Sequence, residues 1–476
     1  MDKMFAGPRL RRLRLEHRLS QVDLARQLEV SPSYLNQIEH NNRPLTVPVL
    51  MRISDIFGVD AEFFAPRDTP RLIAELREAL LDTDLAGDAV PGDIADVATN
   101  HPAVARAVLR LHRRYRSLTD QLAAATREQP EGASLMPHEE VRDFFYDHRN
   151  YIDDLDRTAE QFADKIGLND EPKRDVLVRR LGQTHGVRVV EAHDRAGDGD
   201  ELSRFDRAGR TIRLSPQLLW GQQVFRLARQ LAGLEFGGLI DEVADEAVFQ
   251  DPQARDLLEI GLANYLASAM LLPYTIFRDT AEEFRYDIER LSARFNLGFE
   301  STCHRLSTLQ RPRARGVPFA FVRVDRAGNM SQRQSATAFH FSRAGGTCPL
   351  WNVYEAFASP GKLITQLAEM PDGRRYLWIA RTVFRSPQRY GASGKLFAVA
   401  LGCEIRHAGR LVYSTGLNVR DRAAATRIGV GCKVCQRTDC PQRAFPPIGH
   451  KLDIDPDRAT FIPYPTQRPA VAGEPS

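Results

Sequence analysis

The sequence lacks any long apolar run. No uninterrupted apolar segment approaches the roughly 20 residues that a membrane-spanning helix needs, and the first residues contain no hydrophobic region of a signal peptide. These absences argue against an integral membrane protein, and we expect a cytoplasmic location. Cysteine is also scarce, at 6 of 476 residues, so in that compartment a disulfide framework is excluded.

Neither sign of charge is in large excess. The formal net charge is +3, which is too small to indicate nucleic-acid binding by itself, so only local clustering of cations can do so. With 43% hydrophobic and 27% charged residues, the composition is that of a globular protein. The chain is too long for one hydrophobic core, and we expect about three domains.

What the sequence does contain is a helix-turn-helix motif from Ser20 to Glu39. Ser20 is a favourable N-cap with Asp23 at N3, and Ser31 caps a second helix with Pro32 in its first turn. That helix directs short or planar polar side chains outward, as a helix reading base edges in a major groove does. The predicted DNA-binding residues are Gln21, Ser31, Ser33, Tyr34, Asn36, Gln37 and Arg43. An ordinary small helical bundle is the alternative interpretation.

Cations flank this motif. Residues 1–20 contain six basic side chains against two acidic ones, which supplies candidate contacts to DNA phosphates. The six are Lys3, Arg9, Arg11, Arg12, Arg14 and Arg18. A closing helix is predicted to start at Thr46 and to stop at Gly58.

An apolar stripe with coiled-coil spacing occupies residues 103–123. Its members alternate in steps of four and three, and they are Val104, Val108, Leu111, Tyr115, Leu118 and Leu122. Either the stripe is a dimer contact, or it packs on its own chain. A homodimer is expected on separate grounds, because one small helix-turn-helix makes few DNA contacts and two-fold pairing doubles them.

The middle of the chain resembles the ImmA/IrrE-type metallopeptidases in the stretches VFRLARQLAGLEFGGLI and ANYLASAMLLP. In that family two histidines four residues apart bind zinc, and the glutamate between them activates water. The matching positions here are Arg229, Gln230 and Gly233, which can do neither, and Leu262 stands where an acidic residue is common. We therefore predict a degenerate zincin-like domain without catalytic residues. The alternative, a peptidase-like regulator that cleaves a partner, would need a metal-bound water there.

Basic residues concentrate between positions 301 and 350, where eight arginines face a single aspartate. Guanidinium groups make paired hydrogen bonds to phosphate oxygens, and phenylalanines are interleaved with them. The pattern predicts an anion site with an apolar slot, suited to a phosphate-rich ligand with a short apolar tail. The predicted ligand-binding residues are Arg305, Arg311, Arg315, Tyr265, Phe319 and Phe339. A solvated or DNA-facing basic stretch is the alternative.

Three cysteines cluster near the end of the chain. Cys432, Cys435 and Cys440 have C-x2-C-x4-C spacing, which suits a shared metal centre. Cys403 is the first choice for a fourth ligand, and Cys348, His407 and His450 are alternatives. Zinc would be a structural metal that stabilises the fold, whereas an iron–sulfur cluster would add redox or oxygen sensing. Free structural thiols are the remaining alternative.

Taken together, the chain resembles the short-chain fatty acyl coenzyme A regulator family. The motifs that carry the resemblance are YLNQIEHNNRPLT, MPHEEVRDFFY, RLSTLQRPRARGVPF, VRVDRAGNMSQRQSAT, GGTCPLWNVYEAF and CPQRAFP. The resemblance implies a cytoplasmic transcription factor of acetate or propionate metabolism that binds a double-stranded DNA operator and senses acetyl- or propionyl-coenzyme A. It also implies a four-iron (4Fe-4S) cluster, with zinc as the alternative. A redox-responsive transcription factor governed by that centre is the alternative function.

The expected fold is multidomain, mainly α with α+β parts. Residues 1–68 form a lambda-repressor-like helix-turn-helix bundle, residues 69–130 a helical linker and dimerisation segment, and residues 138–312 the degenerate ImmA/IrrE-like domain. A C-terminal α/β effector domain occupies residues 313–476. Within these parts we predict a hairpin that turns near residues 207–209 and one amphipathic helix over residues 349–370.

Overall fold

The computed structural model describes residues 7–17, 19–39, 43–57, 69–81, 91–125, 137–191, 201–249, 251–337, 339, 347–385, 394–432, 435, 437–446, 451–455 and 457–466. The chain divides into two compact units, Met1–Arg110 and Leu111–Ser476.

Four helices of the first unit form the predicted helix-turn-helix bundle. They are α1 (Gly7–Glu16), α2 (Gln21–Gln27), α3 (Pro32–Glu39) and α4 (Val47–Phe57). Ser20 caps α2 by accepting a hydrogen bond from the N–H of Asp23 at 3.1 Å, as predicted. Glu29 takes a left-handed φ of 53° in the turn. The apolar faces of the helices meet in one core, in which Leu24 and Leu35 are fully buried.

Three further helices follow. They are α5 (Thr69–Leu81), α6 (Pro91–Asn100) and α7 (Pro102–Ala125). Leu76, Ile94, Ala105 and Leu109 are buried in a second, smaller core. Pro102 occupies the first position of α7, where its missing N–H breaks no helical hydrogen bond.

After the C-terminal part of α7, which starts the second unit, this unit contains a set of helices around one central helix. They are α8 (Pro137–Asp147), α9 (Asp153–Lys165), α10 (Lys173–His185), α11 (Trp220–Glu235), α12 (Gly237–Asp245), α13 (Pro252–Leu271), α14 (Tyr274–Glu283), α15 (Ile288–Phe295) and α16 (Phe299–Ser307). The second half of α13 is buried on every side, as expected for a central core helix. No single described helix is long and apolar enough to cross a membrane. The pair α13 and α14 passes that test only together, and the two are bent by 62° at their junction.

A small sheet lies between α10 and α11 in the sequence. It consists of β1 (Arg188–Glu191), β2 (Ser203–Asp206) and β3 (Thr211–Leu214), in the order β1-β3-β2. Strands β2 and β3 form the predicted antiparallel hairpin, and Asp206 holds its turn by accepting a hydrogen bond from the N–H of Gly209 at 2.9 Å. Strand β1 pairs with β3 in parallel.

The C-terminal part is built on a six-stranded sheet. Its strands are β4 (Ala320–Val324), β5 (Met330–Ser335), β6 (Ile364–Glu369), β7 (Arg375–Arg385), β8 (Lys395–Glu404) and β9 (Thr426–Arg427), in the order β5-β4-β8-β7-β6-β9. All neighbours are antiparallel except β6 and β9. The part is therefore of the α+β kind, because parallel crossovers do not build it.

The two faces of this sheet belong to different cores. In β8, Val399 and Leu401 pack on the helices of the same unit, whereas Ala398 and Ala400 face a separate aromatic core that contains Trp378. This follows from the two-residue period of a strand. The first of these cores is continuous from α9 to β8, so the predicted domain boundary at residues 312 and 313 falls inside a shared interior.

Residues 349–370 do not form the single amphipathic helix predicted from their pattern. Helix α17 (Asn352–Glu355) lasts one turn and is followed by a 3-10 turn, Ala356–Ala358. Pro360 and Gly361, whose φ is 79°, then interrupt the chain. The β-branched residues Ile364 and Thr365 enter β6 and pair with β7, where such side chains fit the pleated surface.

Candidate functional site

The recognition helix α3 carries polar side chains on the side opposite its apolar face. Ser31 caps it by accepting a hydrogen bond from the N–H of Tyr34 at 3.1 Å. Leu35 and Ile38 are fully buried, so the intervening polar positions point away from the core. Exposed or half-buried positions are Ser31, Ser33, Tyr34, Asn36 and Gln37. Tyr34 packs partly against the bundle core, whereas Ser31, Ser33 and Asn36 are exposed, as on a groove-reading helix.

A buried carboxylate fixes α3 against α1 and α2. Glu39 is 3% exposed and accepts hydrogen bonds from Arg14 Nε and Nη2 at 2.7 and 3.0 Å. Gln21 Nε2 donates to the same carboxylate at 3.0 Å and to Asn36 Oδ1 at 3.2 Å. The hydrogen bond to Glu39 raises the pKa of Arg14. Arg14 is therefore held inside the bundle, whereas Gln21 and Asn36 lie side by side at its surface.

Arg43 adjoins the C-terminal end of the recognition helix. Its guanidinium carbon lies 5.5 Å from the centroid of the Tyr34 ring, and its N–H donates to the carbonyl oxygen of Gln37 at 3.2 Å. The side chain is exposed, which leaves its charge available to a phosphate. Among the basic residues predicted before the motif, Lys3, Arg18 and the side chains of Arg9 and Arg12 lie outside the described residues.

Three members of the apolar stripe on α7 are exposed, whereas Val108 packs against the smaller core. Val104, Leu111 and Tyr115 are 55%, 65% and 58% exposed. Ala105 and Leu109, on another face of the helix, fill the core. The side chains of Leu118 and Leu122 lie outside the described residues. Three exposed apolar side chains along one helix form a surface suited to a partner.

The converted peptidase positions lie on one face of α11. Arg229 and Gln230 are half-buried. Apart from the adjacent residues and the backbone of α11 itself, no atom of the described residues lies within 4 Å of the place where a Cβ of Gly233 would stand. Leu262, on α13, is fully buried. None of the four can bind zinc or activate water, while the space beside Gly233 is retained.

Two of the predicted ligand-binding arginines are buried in ion pairs. Arg305 donates from Nη1 and Nη2 to Asp156 at 2.6 and 3.3 Å, and Arg311 Nη2 reaches the same carboxylate at 3.1 Å. Arg311 Nη1 also pairs with Glu160 at 2.7 Å. The Tyr265 hydroxyl donates to Asp156 at 2.8 Å. We refer to Asp156, Glu160, Arg305 and Arg311 as the core cluster.

The core cluster is satisfied internally. Asp156 and Arg305 are at most 1% exposed. Burial lowers the pKa of Arg305, but Asp156 outweighs this and raises it above the ordinary value. Burial and then Asp156 raise the pKa of Tyr265. Carboxylates of the chain itself use the hydrogen-bonding groups of Arg305, Arg311 and Tyr265, so this geometry does not favour the prediction that the three residues bind a ligand.

The predicted apolar slot is not formed either. Phe319 is fully buried among the helices of the unit, whereas Phe339 lies in the aromatic core on the other side of the sheet. A sheet therefore separates the two rings, and they cannot line one slot. Arg315 is half-buried in the segment between α16 and β4.

Four cysteines line one pocket beside the sheet. Cys348, Cys432, Cys435 and Cys440 share it with Arg437 and Arg443. Cys403, the first choice for a fourth ligand, is fully buried on the opposite face of the sheet. Cys348, the second choice, is the fourth thiol of the pocket, and the assignment of these cysteines to a metal stays a prediction. His450 lies outside the described residues.

Two buried arginines shape the cysteine loop in place of regular secondary structure. Arg443 donates to the carbonyl oxygens of Cys432 and Cys435 at 2.8 and 3.0 Å, and Arg437 to that of Glu369 at 2.7 Å. Arg443 Nε is buried and has no acceptor among the residues that the structure describes. These cations, with four thiols, suit an anionic thiolate centre. As they stand, no three Cys, His, Asp or Glu side chains of the described residues are arranged to hold an ion.

Comparison with known proteins follows the order of these parts. A helix-turn-helix model matches residues 10–64, an IrrE N-terminal-like domain model residues 183–307, and the C-terminal model of the short-chain fatty acyl coenzyme A regulators residues 308–464. The transcriptional regulator RamB of Mycobacterium tuberculosis is 55% identical over 471 residues, which cover 98% of this chain and 99% of that protein. The chain belongs to the short-chain fatty acyl coenzyme A regulator family.

Other members of this family are also similar over nearly their whole length. PrpR of Mycobacterium tuberculosis is 44% identical, with 99% of this chain and 97% of that protein covered. The propionyl-CoA carboxylase regulator of Cereibacter sphaeroides is 42% identical, with 97% and 99% covered. A solved Mycobacterium tuberculosis transcriptional regulator has a TM-score of 0.67 and 47% identity, and covers 69% of this chain and 99% of that one.

Family membership settles the class of the protein. The predicted resemblance and the multidomain α+β fold are confirmed. The relatives are transcriptional regulators, and the four peptidase positions carry no catalytic group. The chain is therefore a DNA-binding transcriptional regulator rather than an enzyme, and its peptidase-like part is a degenerate domain.

Proposed function

We propose that the protein regulates genes of acetate or propionate metabolism and that a short-chain acyl-coenzyme A sets its affinity for an operator. The observation that carries the proposal is the recognition surface of α3, together with a C-terminal part shared with acyl-coenzyme A regulators. RamB, PrpR and the propionyl-CoA carboxylase regulator support the metabolic assignment by their names. Such a regulator acts in the cytoplasm.

In this proposal two copies of the chain bind one operator. The exposed stripe of Val104, Leu111 and Tyr115 on α7 pairs with the same stripe of a second copy. Each recognition helix then enters the major groove of one half-site, with Asn36 and Gln37 directed at base edges and Arg43 at the backbone. Glu39 supports the readout by fixing Gln21 and Asn36 in place.

The DNA contacts are tested on an operator selected from random duplexes with the full chain. Asn36→Ala and Gln37→Ala are each expected to cost about 1–3 kcal/mol of operator affinity, because an amide that reads a base edge is lost. Titration by fluorescence anisotropy measures this. Met51→Ala, at an exposed position of α4, is the matched control. Operator affinity that is unchanged in both α3 variants would remove these residues from the interface.

The effector is tested by repeating the titration with acetyl-coenzyme A, propionyl-coenzyme A and free coenzyme A. A ligand shifts the affinity only if it prefers the bound or the free arrangement of the protein, and a coupling free energy of about 1–3 kcal/mol is expected. Operator affinity that is the same with all three ligands and without them would contradict the proposed effector.

The cysteine pocket supports a second candidate function, a regulator that responds through a metal centre. Cys348, Cys432, Cys435 and Cys440 would hold a 4Fe-4S cluster or a zinc ion, and the cationic Arg437 and Arg443 would balance its negative charge. A cluster supplies redox chemistry, whereas zinc supplies a structural link between the cysteine loop and the sheet.

Anaerobic purification of matched single variants tests this centre. Cys348→Ala is expected to lose bound metal, while Cys403→Ala keeps it because Cys403 faces the opposite core. Brown visible absorbance of the wild-type protein identifies a cluster, and a colourless protein with stoichiometric zinc identifies the other metal. A wild-type protein without either metal would reject this second candidate.

A further inference from the structure

A second group of arginines lies on the face of α11 that carries the converted peptidase positions. Arg226 and Arg229 are neighbours on this helix, three residues apart. Arg385 stands at the end of β7. After burial, which lowers the pKa of Arg226 most, Arg229 and Arg385 lower it further by repulsion. We refer to Arg226, Arg229 and Arg385 as the cleft cluster.

Further cations adjoin the cleft cluster. Lys395 is the cross-strand partner of Arg385 in the pairing of β7 with β8, so their side chains project from the same face of the sheet. Arg323, on β4, reaches the carboxylate that Arg385 uses. Arg385 is thus flanked by Lys395 on the neighbouring strand and by Arg323 across their shared carboxylate.

The carboxylate that these cations share is Glu300. It pairs with Arg385 at 2.6 Å and with Arg323 at 2.5 Å. Burial would raise the pKa of Glu300, but the two arginines outweigh burial and lower it. Both carboxylate oxygens are engaged by this pair of arginines, so this acid does not balance Arg226 and Arg229.

Within the described part of the chain, Arg226 and Arg229 take part in no ion pair, and the Nε–H of Arg229 is buried without an acceptor. Repulsion between neighbouring cations and a buried N–H without an acceptor both destabilise the cleft. An anion placed between the guanidinium groups would relieve both. The open space beside Gly233, on the next turn of α11, leaves room for it.

We propose that the converted peptidase cleft is a phosphate-binding site, in which Arg226, Arg229 and Arg385 hold the phosphate groups of a nucleotide-type ligand. Guanidinium groups suit phosphate because they donate two parallel hydrogen bonds. The cleft that in peptidases holds a metal cation thus holds an anion. That this ligand is the acyl-coenzyme A effector rests on the proposed function.

Calorimetry on the full chain tests the site with two probes, inorganic pyrophosphate and acetyl-coenzyme A. The variant Arg226→Gln, Arg229→Gln is expected to weaken pyrophosphate binding at least tenfold and to weaken acetyl-coenzyme A to a similar extent. The control is Arg179→Gln, Arg204→Gln, which removes the same charge from two exposed arginines of the same unit. It is expected to change either affinity less than twofold.

The two probes separate the site from the effector. Weaker pyrophosphate binding with unchanged acetyl-coenzyme A binding supports the phosphate site and rejects the effector as its ligand. Wild-type protein that binds pyrophosphate but no acetyl-coenzyme A rejects the proposed effector and leaves the site supported. Pyrophosphate binding that is absent in the wild type, unchanged in the variant, or equally weakened in the control overturns the site.

A second variant keeps the test decisive if the glutamine variant does not fold. Arg226→Lys, Arg229→Lys keeps the charge but loses the paired donors of guanidinium, so an intermediate loss of pyrophosphate affinity is expected. If the glutamine variant does not fold, wild-type affinity of the lysine variant overturns the proposal. Circular dichroism of each variant records whether it is folded.

Discussion

Arginine side chains have opposite roles in the core cluster and in the cleft cluster. In the core cluster, Arg305 and Arg311 are buried against Asp156 and Glu160 at 2.6 to 3.1 Å, so their charge is neutralised by the chain. In the cleft cluster, Arg226 and Arg229 repel each other and have no described carboxylate partner. An arginine without a described carboxylate partner therefore indicates a binding site, whereas a high density of arginines along the sequence does not indicate one.

The largest expected effect comes from breaking the core cluster. Asp156→Asn leaves the buried guanidinium group of Arg305 without a carboxylate partner and leaves Arg311 with Glu160 alone, and it is expected to destabilise the second unit by about 3–5 kcal/mol. Urea unfolding followed by circular dichroism measures the change. Glu171→Gln, which breaks an exposed pair with Arg179, should leave the midpoint unchanged. Full stability of Asp156→Asn would refute the role assigned to the core cluster.

Acid is expected to act on His304 of α16 and on the core cluster over different pH ranges. Next to the cleft, burial, opposed by Glu300 and reinforced by Arg305 and Arg323, lowers the pKa of His304 from 6.5 to about 4. Between pH 6.5 and about 4, His304 is therefore protonated in the unfolded chain but not in the folded chain. The free energy of unfolding falls as the pH is lowered through this interval. In the core cluster the pKa of Glu160 is lowered, so its contribution is lost only below the ordinary range of a glutamate.

Replacing His304 sharpens this difference. His304→Asn is expected to remove part of the loss of stability between pH 6.5 and 4, by up to about 3 kcal/mol at the acid end. Urea unfolding at several pH values in this interval gives both slopes. Identical slopes for the variant and the wild type would contradict the assignment.

The smallest expected effect on stability comes from the cleft cluster. Without ligand, Arg226→Gln, Arg229→Gln removes mutual repulsion and no ion pair, so the free energy of unfolding should stay within about 0.5 kcal/mol of the wild-type value or rise slightly. The same urea experiment measures it. A loss as large as that of Asp156→Asn would show that the two clusters do not differ in the way described.

Local patterns predicted the helix-turn-helix because capping and helical periodicity involve residues three or four positions apart. Ser20 and Ser31 cap the helices that the sequence assigned to them. The core cluster could not be predicted in this way, since Arg305 and its partner Asp156 are 149 positions apart. One signal was available: Asp156 occupies an apolar-face position beside Leu155 and Ala159, and an acid there indicates a buried cation.

Strand parity explains the other errors. Phe319 was grouped with Phe339, and Cys403 with the C-terminal cysteines, by chemistry alone. A sheet separates Phe319 from Phe339 and Cys403 from the cysteine pocket. The face of the sheet on which a strand residue lies can be assigned only once the register of the strands is known. The predicted helix over residues 349–370 failed because β6 is specified by its pairing with β7, which lies outside that window.

The shared interior from α9 to β8 limits how relatives of this protein can exchange parts. A chimaera joined at residue 312 would combine helices and a sheet from different relatives, whose buried side chains are not complementary. Neither part would then pack into a complete hydrophobic core. Recombination within the family therefore has to exchange the peptidase-like helices and the sheet together. The DNA-binding bundle has a core of its own and can be exchanged separately.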